Sequence, residues 1–475
     1  MKPTKIVVLH GLRDDSRQTT INHALCFERH LQNVEMVYIN VFGTIPTNIR
    51  ADVVIVTYEL VALRNLPIWK ILVKRIQALL AQAKCRILMP QDDYSRSDVL
   101  DEFVVSHAFN YVFTPITRDL HILYPRSTAV GVQFQEAYTG YFEENDWQRI
   151  GNFAKPFHAR AIDVGQRVRY LPPQLGEKAG IKGRLAIEFG ELAMARGFKC
   201  DVSTKNEDVF LGDDWWRFLG DTKFTVSRRG GASMADPTGR LADRVRRFQM
   251  RYPNATMEDI ALNVSMEGGK EGDFSAISPR LFEAAALGVC QILEPDYYVD
   301  GLEPWTHYLP LEADFSNIDE VFTTMDDDQK CEKIVQASQE LLLKSGRFTY
   351  GAFVSRILKT VGVTIQPGIS CTISDSSEKF DLVVQGNINN LRWVQDYVRR
   401  AYLGHKLDAA IGSLVSGRLL ALNSDDEKWK SVAENVPESV IAWLDSFRSH
   451  ELIVESLAIP WRTATSFTNR DTPST

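Results

Sequence analysis

The sequence predicts an α/β protein with two doubly wound domains, each a parallel sheet covered by helices on both faces, followed by a small mixed α+β appendage. A chain of 475 residues is too long for one hydrophobic core. Short apolar runs alternate with helix-length segments in each half, and the alternation restarts after a polar and aromatic stretch near residue 145. The predicted domains are 1–150 and 151–363, with the appendage at 364–475 ending in a tail predicted to be disordered.

The first half contains five apolar runs of strand length: Lys5–Leu9, Val37–Phe42, Val53–Thr57, Arg86–Met89 and Tyr111–Thr114. Between the third and fourth runs, apolar residues recur at helical spacing from Ile68 to Ala83. Buried strands joined by helices form parallel sheets. The carboxyl ends of the strands then meet at one edge of the sheet, where ligands bind in such folds.

Four segments are predicted to lie at that edge: His10–Gly11, Tyr58–Glu59, Gln91–Tyr94 and Thr114–Thr117. Asp92 and Asp93 are adjacent carboxylates at a strand end and are candidates for a general base. Adjacent aspartates are also common in turns and helix caps. His10 is placed to contact a ligand. A magnesium site is the weaker hypothesis, because no second carboxylate cluster completes it.

The second half repeats the alternation of strands and helices. Its predicted strands are Ala161–Val164, Lys199–Ser203, Lys223–Ser227, Val289–Leu293 and His307–Leu311. Between the first two, Ile181, Leu185, Phe189 and Leu192 form an apolar helical stripe that ends near Gly197. A second parallel sheet is therefore expected.

Basic residues gather where the first strand of the second half leads into its helix. Arg167 and Arg169 precede a Pro-Pro pair, and Lys178 and Lys182 follow it. Arginine and lysine together can neutralise a diphosphate. Basic residues in loops are also often only solvated, so the cluster needs support from other segments.

Two glycines follow a predicted strand in the segment Ser227–Ser233. Gly230 and Gly231 allow the backbone to approach a ligand closely, and Arg228 stands beside them. Neither a Gly-x-Gly-x-x-Gly fingerprint nor a Walker loop is present. The glycine pair alone is therefore weak evidence for a phosphate site.

A helix is predicted to begin at Ser278–Pro279 and to end at Gly288, because serine caps free amides and proline tolerates the first helical position. Its start offers amides and the positive end of the helix dipole to an anion such as a diphosphate. Glu283, one turn further in, can accept two ribose hydroxyls. Alternatively, Glu283 complements the dipole and Arg280 is a solvated charge.

Composition narrows the class of protein. Values of 44% hydrophobic and 24% charged residues are typical of a soluble globular chain, and the net charge of -7 argues against an extended nucleic-acid surface. The six cysteines are scattered without a Cys-x-x-Cys pair, which favours reduced thiols. No apolar stretch resembles a signal peptide or a transmembrane segment. We expect a cytoplasmic protein.

Five segments of the second half carry a resemblance: Asp163–Pro173, Gly230–Ser233, Ser278–Ala285, His307–Leu311 and Phe348–Tyr350. They resemble GT-B glycosyltransferases, in particular group 1 and CgeB-like proteins. The resemblance implies two Rossmann-like domains facing a cleft, with a nucleoside-diphosphate-sugar donor in the second and a glycan, lipid-linked or protein acceptor largely in the first. It implies no cofactor beyond this donor, and a metal-independent transfer of a hexose, as in polysaccharide biosynthesis.

The resemblance also implies roles for individual residues. Glu283 would bind the ribose, and the amides from Ser278 onward would bind the diphosphate. Arg169 and Lys182 would neutralise the phosphate charge. Further candidates for donor binding are Arg228, Gly230, Gly231 and Arg280.

The sequence departs from the family at one position. The best-known retaining members carry two glutamates at a fixed spacing, and the position of the first holds Ser275 here. Glu271 and Asp273 lie nearby but out of register. The stereochemical outcome is therefore open between retention and inversion.

The mechanism must stabilise a departing nucleoside diphosphate, which arginine, lysine and helix amides can do without a metal. An inverting reaction needs a base for the acceptor hydroxyl, and Asp92, Asp93 and His10 are the candidates. In a retaining reaction the leaving phosphate itself can serve. Closure of the cleft would exclude water.

Two other functions remain open at the level of sequence. A nucleotide-sugar epimerase has the same two-domain fold, although no additional acidic and histidine constellation favours it. A catalytically inactive nucleotide-sugar-binding or scaffolding protein is consistent with the absent glutamate. The appendage is a possible site of homodimerisation.

Overall fold

The computed structural model describes residues 4–12, 18–31, 34–43, 45–46, 49–66, 68–143, 146–205, 207–210, 212–252 and 255–362. The predicted appendage at 364–475, and the homodimer contact assigned to it, lie outside the described residues. Among the described helices, none is both long and apolar enough to cross a membrane.

The first half forms a six-stranded parallel sheet. Its strands are β1 (Thr4–His10), β2 (Val34–Asn40), β3 (Val53–Val56), β4 (Cys85–Leu88), β5 (Tyr111–Thr114) and β6 (Gln133–Glu136). Their order is β2-β1-β3-β4-β5-β6, and every neighbouring pair is parallel. All four residues of β3 are buried, as expected for a strand covered by helices on both faces. The five predicted strands are confirmed, whereas β6 was not predicted.

The helices of the first half are α1 (Gln18–His30), α2 (Tyr58–Ala62), α3 (Trp69–Gln82), α4 (Ser97–Ser106), α5 (Leu120–Leu123), α6 (Pro125–Ala129) and α7 (Asp146–Gly151). The predicted apolar face of α3 is confirmed, because Leu72, Ile76 and Leu79 are buried.

The strands of the second half are β7 (Ile162–Arg167), β8 (Cys200–Ser203), β9 (Thr222–Ser227), β10 (Gly230–Ala235), β11 (Lys270–Ala276), β12 (Cys290–Leu293) and β13 (Leu309–Pro310). Five of them form a second parallel sheet in the order β13-β12-β9-β7-β8. The predicted second sheet is thus confirmed. The two domains are Rossmann-like, as predicted.

The helices of the second half are α8 (Lys178–Ala195), α9 (Asp213–Gly220), α10 (Arg240–Arg251), α11 (Met257–Asn263), α12 (Arg280–Ala286), α13 (Ile318–Met325), α14 (Asp328–Gln339) and α15 (Tyr350–Thr360). In α8, Leu185 and Phe189 are buried as predicted. Leu192 was placed in the same apolar stripe, but 42% of its surface is exposed. It lies on the solvent side of the helix, so this part of the prediction was wrong.

Strands β10 and β11 pair with each other in an antiparallel hairpin outside both sheets. The β10–β11 hairpin belongs to the second half of the chain, yet Ala232, Ala235 and Phe274 pack into a hydrophobic cluster of the first domain. Arg118 of the first domain also forms an ion pair with Asp273, at 2.8 Å. The hairpin therefore joins the two domains.

The chain returns to the first domain at α15, which packs against α1. The ring of Phe353 stacks on Tyr141 with centroids 4.4 Å apart. Just before α15, Phe142 donates its N–H to the carbonyl of Phe348 (3.3 Å) and accepts from the N–H of Tyr350 (2.9 Å). The two segments that connect the domains thus run side by side.

Both sheets contain a point where the direction of chain progression reverses. It lies between β1 and β3 in the first sheet and between β7 and β9 in the second. At such a switch point the connections leave to opposite faces of the sheet, so a crevice opens beyond the carboxyl ends of the two strands. These two crevices position the candidate functional residues.

Candidate active site

A pocket opens at the switch point of the second sheet. Its empty volume, including the part open to solvent, is about 420 Å³. Gln166 of β7 and Ser227 of β9 contribute polar groups, and Ser278 and Arg280 contribute from the start of α12. Trp215 of α9 closes one side. The pocket therefore brings together Ser227–Ser233 and Ser278–Glu283, two of the segments that the sequence had marked for a phosphorylated ligand.

Four cationic side chains, Arg169, Lys182, Arg228 and Arg280, form what we call the cation cluster. Arg280 donates from Nη1 to the side-chain oxygen of Gln166 at 3.2 Å and also to the carbonyl of Arg167. Its guanidinium lies 5.0 Å from the centre of the Trp215 ring. Arg228 pairs with Glu294 at 3.0 Å. Hydrogen bonds and stacking thus fix the two arginines at the pocket.

Lys182 and Arg169 complete the cation cluster without an ion pair among the described residues. Burial, followed by repulsion from Arg280 and Arg228, lowers the pKa of Lys182 to about 7. Burial and the nearby Arg169 likewise lower the pKa of Arg280. Like charges that depress one another's pKa values are stabilised by an anion placed among them. The electrostatics of the cation cluster therefore favour an anionic ligand.

Glu283 lies beside this cluster on α12. Its Oε2 accepts a hydrogen bond from Nε1 of Trp215 at 3.1 Å. Burial raises its pKa, while the charge of Arg280 and the Trp215 bond oppose the rise. A carboxylate held in this way is suited to accept hydrogen bonds from neutral hydroxyl groups.

The start of α12 differs from the prediction in one respect that matters for binding. The helix begins at Arg280, and its early amides already have acceptors within the turn. The N–H of Arg280 donates to Oγ of Ser278 (3.4 Å), that of Leu281 to the Ser278 carbonyl (3.1 Å) and that of Phe282 to the Pro279 carbonyl (3.0 Å). Side-chain cations, rather than these amides, are the groups available to a diphosphate.

Gly230 and Gly231 do not form the predicted ligand-approach loop, because both belong to β10. Gly231 has a φ of +119°, and a Cβ there would lie 2.3 Å from the carbonyl oxygen of Phe274. A Cβ at Gly230 would meet nothing within 4 Å. The glycine at 231 is thus required by the close approach of β11, not by a ligand.

The two aspartates proposed as bases occupy different environments. Asp92 is exposed and accepts a hydrogen bond from the hydroxyl of Tyr94 at 2.7 Å. Asp93 is fully buried, and its Oδ2 accepts from the hydroxyls of Thr114 and Tyr124, both at 2.6 Å. Burial raises the pKa of Asp93. Asp93 therefore connects β4 to its neighbours inside the domain and is enclosed away from a ligand.

His10, the third candidate base, ends β1 at the switch point of the first sheet. It is fully buried, and burial lowers its pKa to about 3. Its Nδ1 accepts the N–H of Leu12 at 3.3 Å, so the proton of the neutral ring resides on Nε2. A weak base whose outer nitrogen carries a proton is suited to donate a hydrogen bond, whereas the predicted role for His10 was that of a general base.

Three residues of these sites carried no predicted role: Trp215, Gln166 and Glu59. Trp215 contacts Glu283 only through the tertiary fold, and no local pattern marks it. Gln166 lies in the resembling segment Asp163–Pro173, but its contact with Arg280 also depends on the tertiary fold. The only sequence signal for Glu59 was its position just after a predicted strand, which placed it at the edge of the first sheet where ligands bind. Among the described residues, no group of three or more His, Cys, Asp and Glu side chains is arranged to hold a metal ion.

No protein-family model and no curated protein matches this chain. Solved structures of similar fold include HepE of Anabaena in complex with UDP, with 10% identity and a TM-score of 0.41 over 76% of this chain and 100% of that one. TarM has 11% identity and a TM-score of 0.37 over 65% and 54%. AviGT4, a glycosyltransferase involved in avilamycin A biosynthesis, has 10% identity and a TM-score of 0.36 over 75% and 97%. These similarities are low, and the Rossmann-like fold of both domains follows from their strand orders.

Proposed function

We propose that the protein transfers a glycosyl group from a nucleoside-diphosphate sugar to a hydroxyl acceptor. The observation that carries this proposal is the cation cluster at the switch point of the second sheet, beside the Glu283 carboxylate. Arg228 pairs with Glu294 and Arg280 lies near Glu283, whereas Lys182 and Arg169 add two further cations to the cluster. The excess of positive charge complements a diphosphate.

The same groups suit the chemistry of sugar transfer. When the bond between the sugar and the diphosphate breaks, negative charge develops on the departing phosphate. Fixed cations in a partly dry pocket stabilise that charge without reorganisation, and such stabilisation commonly contributes most to the rate enhancement of an enzyme. Glu283, oriented by Trp215, would accept the ribose hydroxyls. We further propose that the sugar is a hexose and that the cations replace a metal ion.

Nucleotide binding tests the donor site directly. A panel of nucleoside diphosphates is titrated calorimetrically into wild type, Lys182→Gln and Arg184→Gln. Arg184 is an exposed residue on the same helix and serves as the matched control. Loss of a charge-assisted hydrogen bond costs about 1.5–3 kcal/mol, so Lys182→Gln should weaken binding by about tenfold or more.

Arg184→Gln should leave the affinity within about twofold of wild type, since a surface charge change has a small effect. Absence of binding by any nucleoside diphosphate at millimolar concentration, or equal behaviour of the two variants, would refute the donor site.

The fate of the bound nucleotide sugar then distinguishes a transferase from an epimerase and from a scaffolding protein. A transferase slowly hydrolyses the nucleotide sugar and releases the free sugar. An epimerase yields the epimeric nucleotide sugar, and a scaffolding protein leaves the nucleotide sugar unchanged.

A further inference from the structure

The switch point of the first sheet carries a second polar site, formed by His10, Thr57 and Glu59, which we call the switch-point site. His10 is the last residue of β1, and Thr57 and Glu59 directly follow β3. A Cβ at Gly11 would lie only 3.4 Å from the carbonyl oxygen of Glu59. The two strand ends are therefore in close contact at the place where this fold opens a crevice for ligands.

Two polar atoms of the switch-point site have no hydrogen-bonding partner among the described residues. They are Nε2 of His10 and Oε2 of Glu59, and both are covered from solvent. The other oxygen of Glu59, Oε1, accepts a hydrogen bond from the Thr57 hydroxyl. Buried polar groups in folded proteins are almost always paired. Nε2 is an unpaired donor at the end of β1, and Oε2 is an unpaired acceptor just after β3. Together they match a group that both accepts and donates, such as a hydroxyl.

The protonation states of the two residues suit different roles. Burial raises the pKa of Glu59 to about 7, while its bond to Thr57 opposes the rise. A carboxylate of that pKa is well matched to accept a proton near neutral pH. His10 is neutral, with its proton on Nε2, because Nδ1 accepts from Leu12. It can hold a hydroxyl oxygen but is a poor base.

Glu59 is also more accessible than Asp93, which has an unpaired oxygen too. Asp93 is enclosed by Thr114 and Tyr124, and none of its surface is exposed. Glu59 as a residue is partly exposed, although its Oε2 is itself covered from solvent.

The switch-point site lies on the edge of the first domain that meets the second. Arg64, on the turn following α2, donates to the carbonyls of Asp92 (2.7 Å) and Ser95 (2.9 Å). Asp236, which follows the strand β10, donates its N–H to the carbonyl of Tyr94 at 2.8 Å. The same loop of the first domain thus contacts both the Glu59 helix and the domain that carries the cation cluster.

We propose that Glu59 is the general base that activates the acceptor hydroxyl, with His10 donating its Nε2–H to the same oxygen. This inference rests on the proposed glycosyl transfer. The hydroxyl proton moves to the Glu59 carboxylate as the acceptor oxygen bonds to the anomeric carbon. The bond from that carbon to the diphosphate breaks, and its electron pair leaves with the nucleoside diphosphate. A base on the face opposite the leaving group makes the reaction inverting.

The test uses the full chain and water as the acceptor, so that no natural acceptor is needed. Hydrolysis of UDP-glucose, or of the nucleotide sugar that binds best, is followed by NMR for wild type, Glu59→Gln and Glu59→Ala. In wild type the first sugar formed from an α-linked donor should be the β anomer. Loss of a general base should lower kcat by about 10²–10⁴-fold while the nucleoside diphosphate binds with unchanged affinity.

Rescue by azide distinguishes the loss of a general base from the loss of a residue that only stabilises the fold. Azide is a nucleophile that has no proton to lose, so it should restore donor consumption in Glu59→Ala and give a glycosyl azide of inverted configuration. Azide should not rescue Lys182→Gln, which retains its base. A kcat for Glu59→Gln within threefold of wild type, retention of configuration, or failure of azide rescue would overturn the proposal. Absence of both nucleotide binding and donor cleavage in wild type would instead refute the proposed function on which it rests.

Discussion

The ammonium group of Lys182 lies in the second turn of α8, within electrostatic reach of Arg228 and Arg280. Burial and these two charges lower its pKa to about 7. The charge of Lys182 therefore changes across the physiological pH range. Binding of a diphosphate ester, which does not titrate in this range, must be linked to proton uptake by Lys182.

The direction of this proton linkage predicts how the affinity for a nucleotide sugar depends on pH. Below pH 7 the lysine is already protonated, and affinity for UDP-glucose or another nucleotide sugar should be constant. Above pH 7 the free protein must take up a proton to bind, so affinity should fall by up to about tenfold per pH unit. Calorimetric titrations between pH 6 and 9 measure the affinity at each pH. Lys182→Arg, which stays charged, should show a flat profile, and a wild type equally flat would contradict the prediction.

Individual residues of the pocket at the switch point of the second sheet were predictable to different degrees. Glu283 and Arg280 follow from a serine and proline that mark a helix start after a strand, which is local information. Trp215 is the hydrogen-bond donor of Glu283, yet it stands on another helix far away in the sequence. Its role depends on how α9 packs beside α12, and no pattern in its own neighbourhood specifies that packing.

Among the secondary-structure elements, the β10–β11 hairpin depends on one glycine of an adjacent pair. Gly231 adopts a positive φ, and its α-carbon faces the carbonyl of Phe274. The neighbouring Gly230 has open space around it. The two positions therefore provide a matched comparison of the same substitution in one strand.

Gly231→Ala should lower the free energy of unfolding by about 2 kcal/mol or more, because it combines backbone strain with a steric clash against main-chain atoms. Gly230→Ala should change it by less than about 0.5 kcal/mol. Denaturant unfolding of both variants measures the difference. Similar stabilities for the two would show that β11 shifts to accommodate a methyl group.

The elements missed by sequence analysis share a physical property. Strand β6, Gln-Phe-Gln-Glu, lies at the edge of its sheet, and β10 is built of small residues. Neither has the apolar run by which the central strands were recognised. Strand β10 also pairs with β11 only after two intervening helices. Such strands form because they pair with segments distant in the sequence, so local sequence patterns do not predict them.

For the molecule as a whole, Asp273 is a central contact between the two domains. It forms ion pairs with Arg118 of the first domain and with Lys178 at the start of α8. Its N–H also donates to Asp119 in the first domain at 2.8 Å. The β10–β11 hairpin is thereby fixed to the first domain and to α8 of the second.

Asp273→Asn should loosen this connection, because it removes the charge shared by two cations. The groups are partly exposed, so we expect a loss of about 1 kcal/mol, or about fivefold faster hydrogen exchange of the hairpin amides. Hydrogen exchange detected by mass spectrometry measures the exchange rates of the hairpin amides. Asp243→Asn removes an exposed partner of Arg246 on α10 and should leave the hairpin unchanged. Equal exchange in the two variants would exclude a role for Asp273 in holding the domains together.

The two-domain architecture was predictable because alternation of apolar runs and helices occurs twice along the chain. The return of α15 to the first domain was not. Its residues form an amphipathic helix like any other, and only the complementary surface of α1 determines which domain it joins. Pattern alone therefore gives the layers of each domain but not the contacts between them.

The pairing of Phe142 with Phe348 and Tyr350 has a mechanical consequence. Two chain segments cross between the domains, and hydrogen bonds hold them together as a narrow ribbon. A double crossing of this kind resists separation of the two domains more than a single connection would. The β10–β11 hairpin, which packs into a hydrophobic cluster of the first domain, joins them at a second place, so relative motion of the domains must break contacts at both.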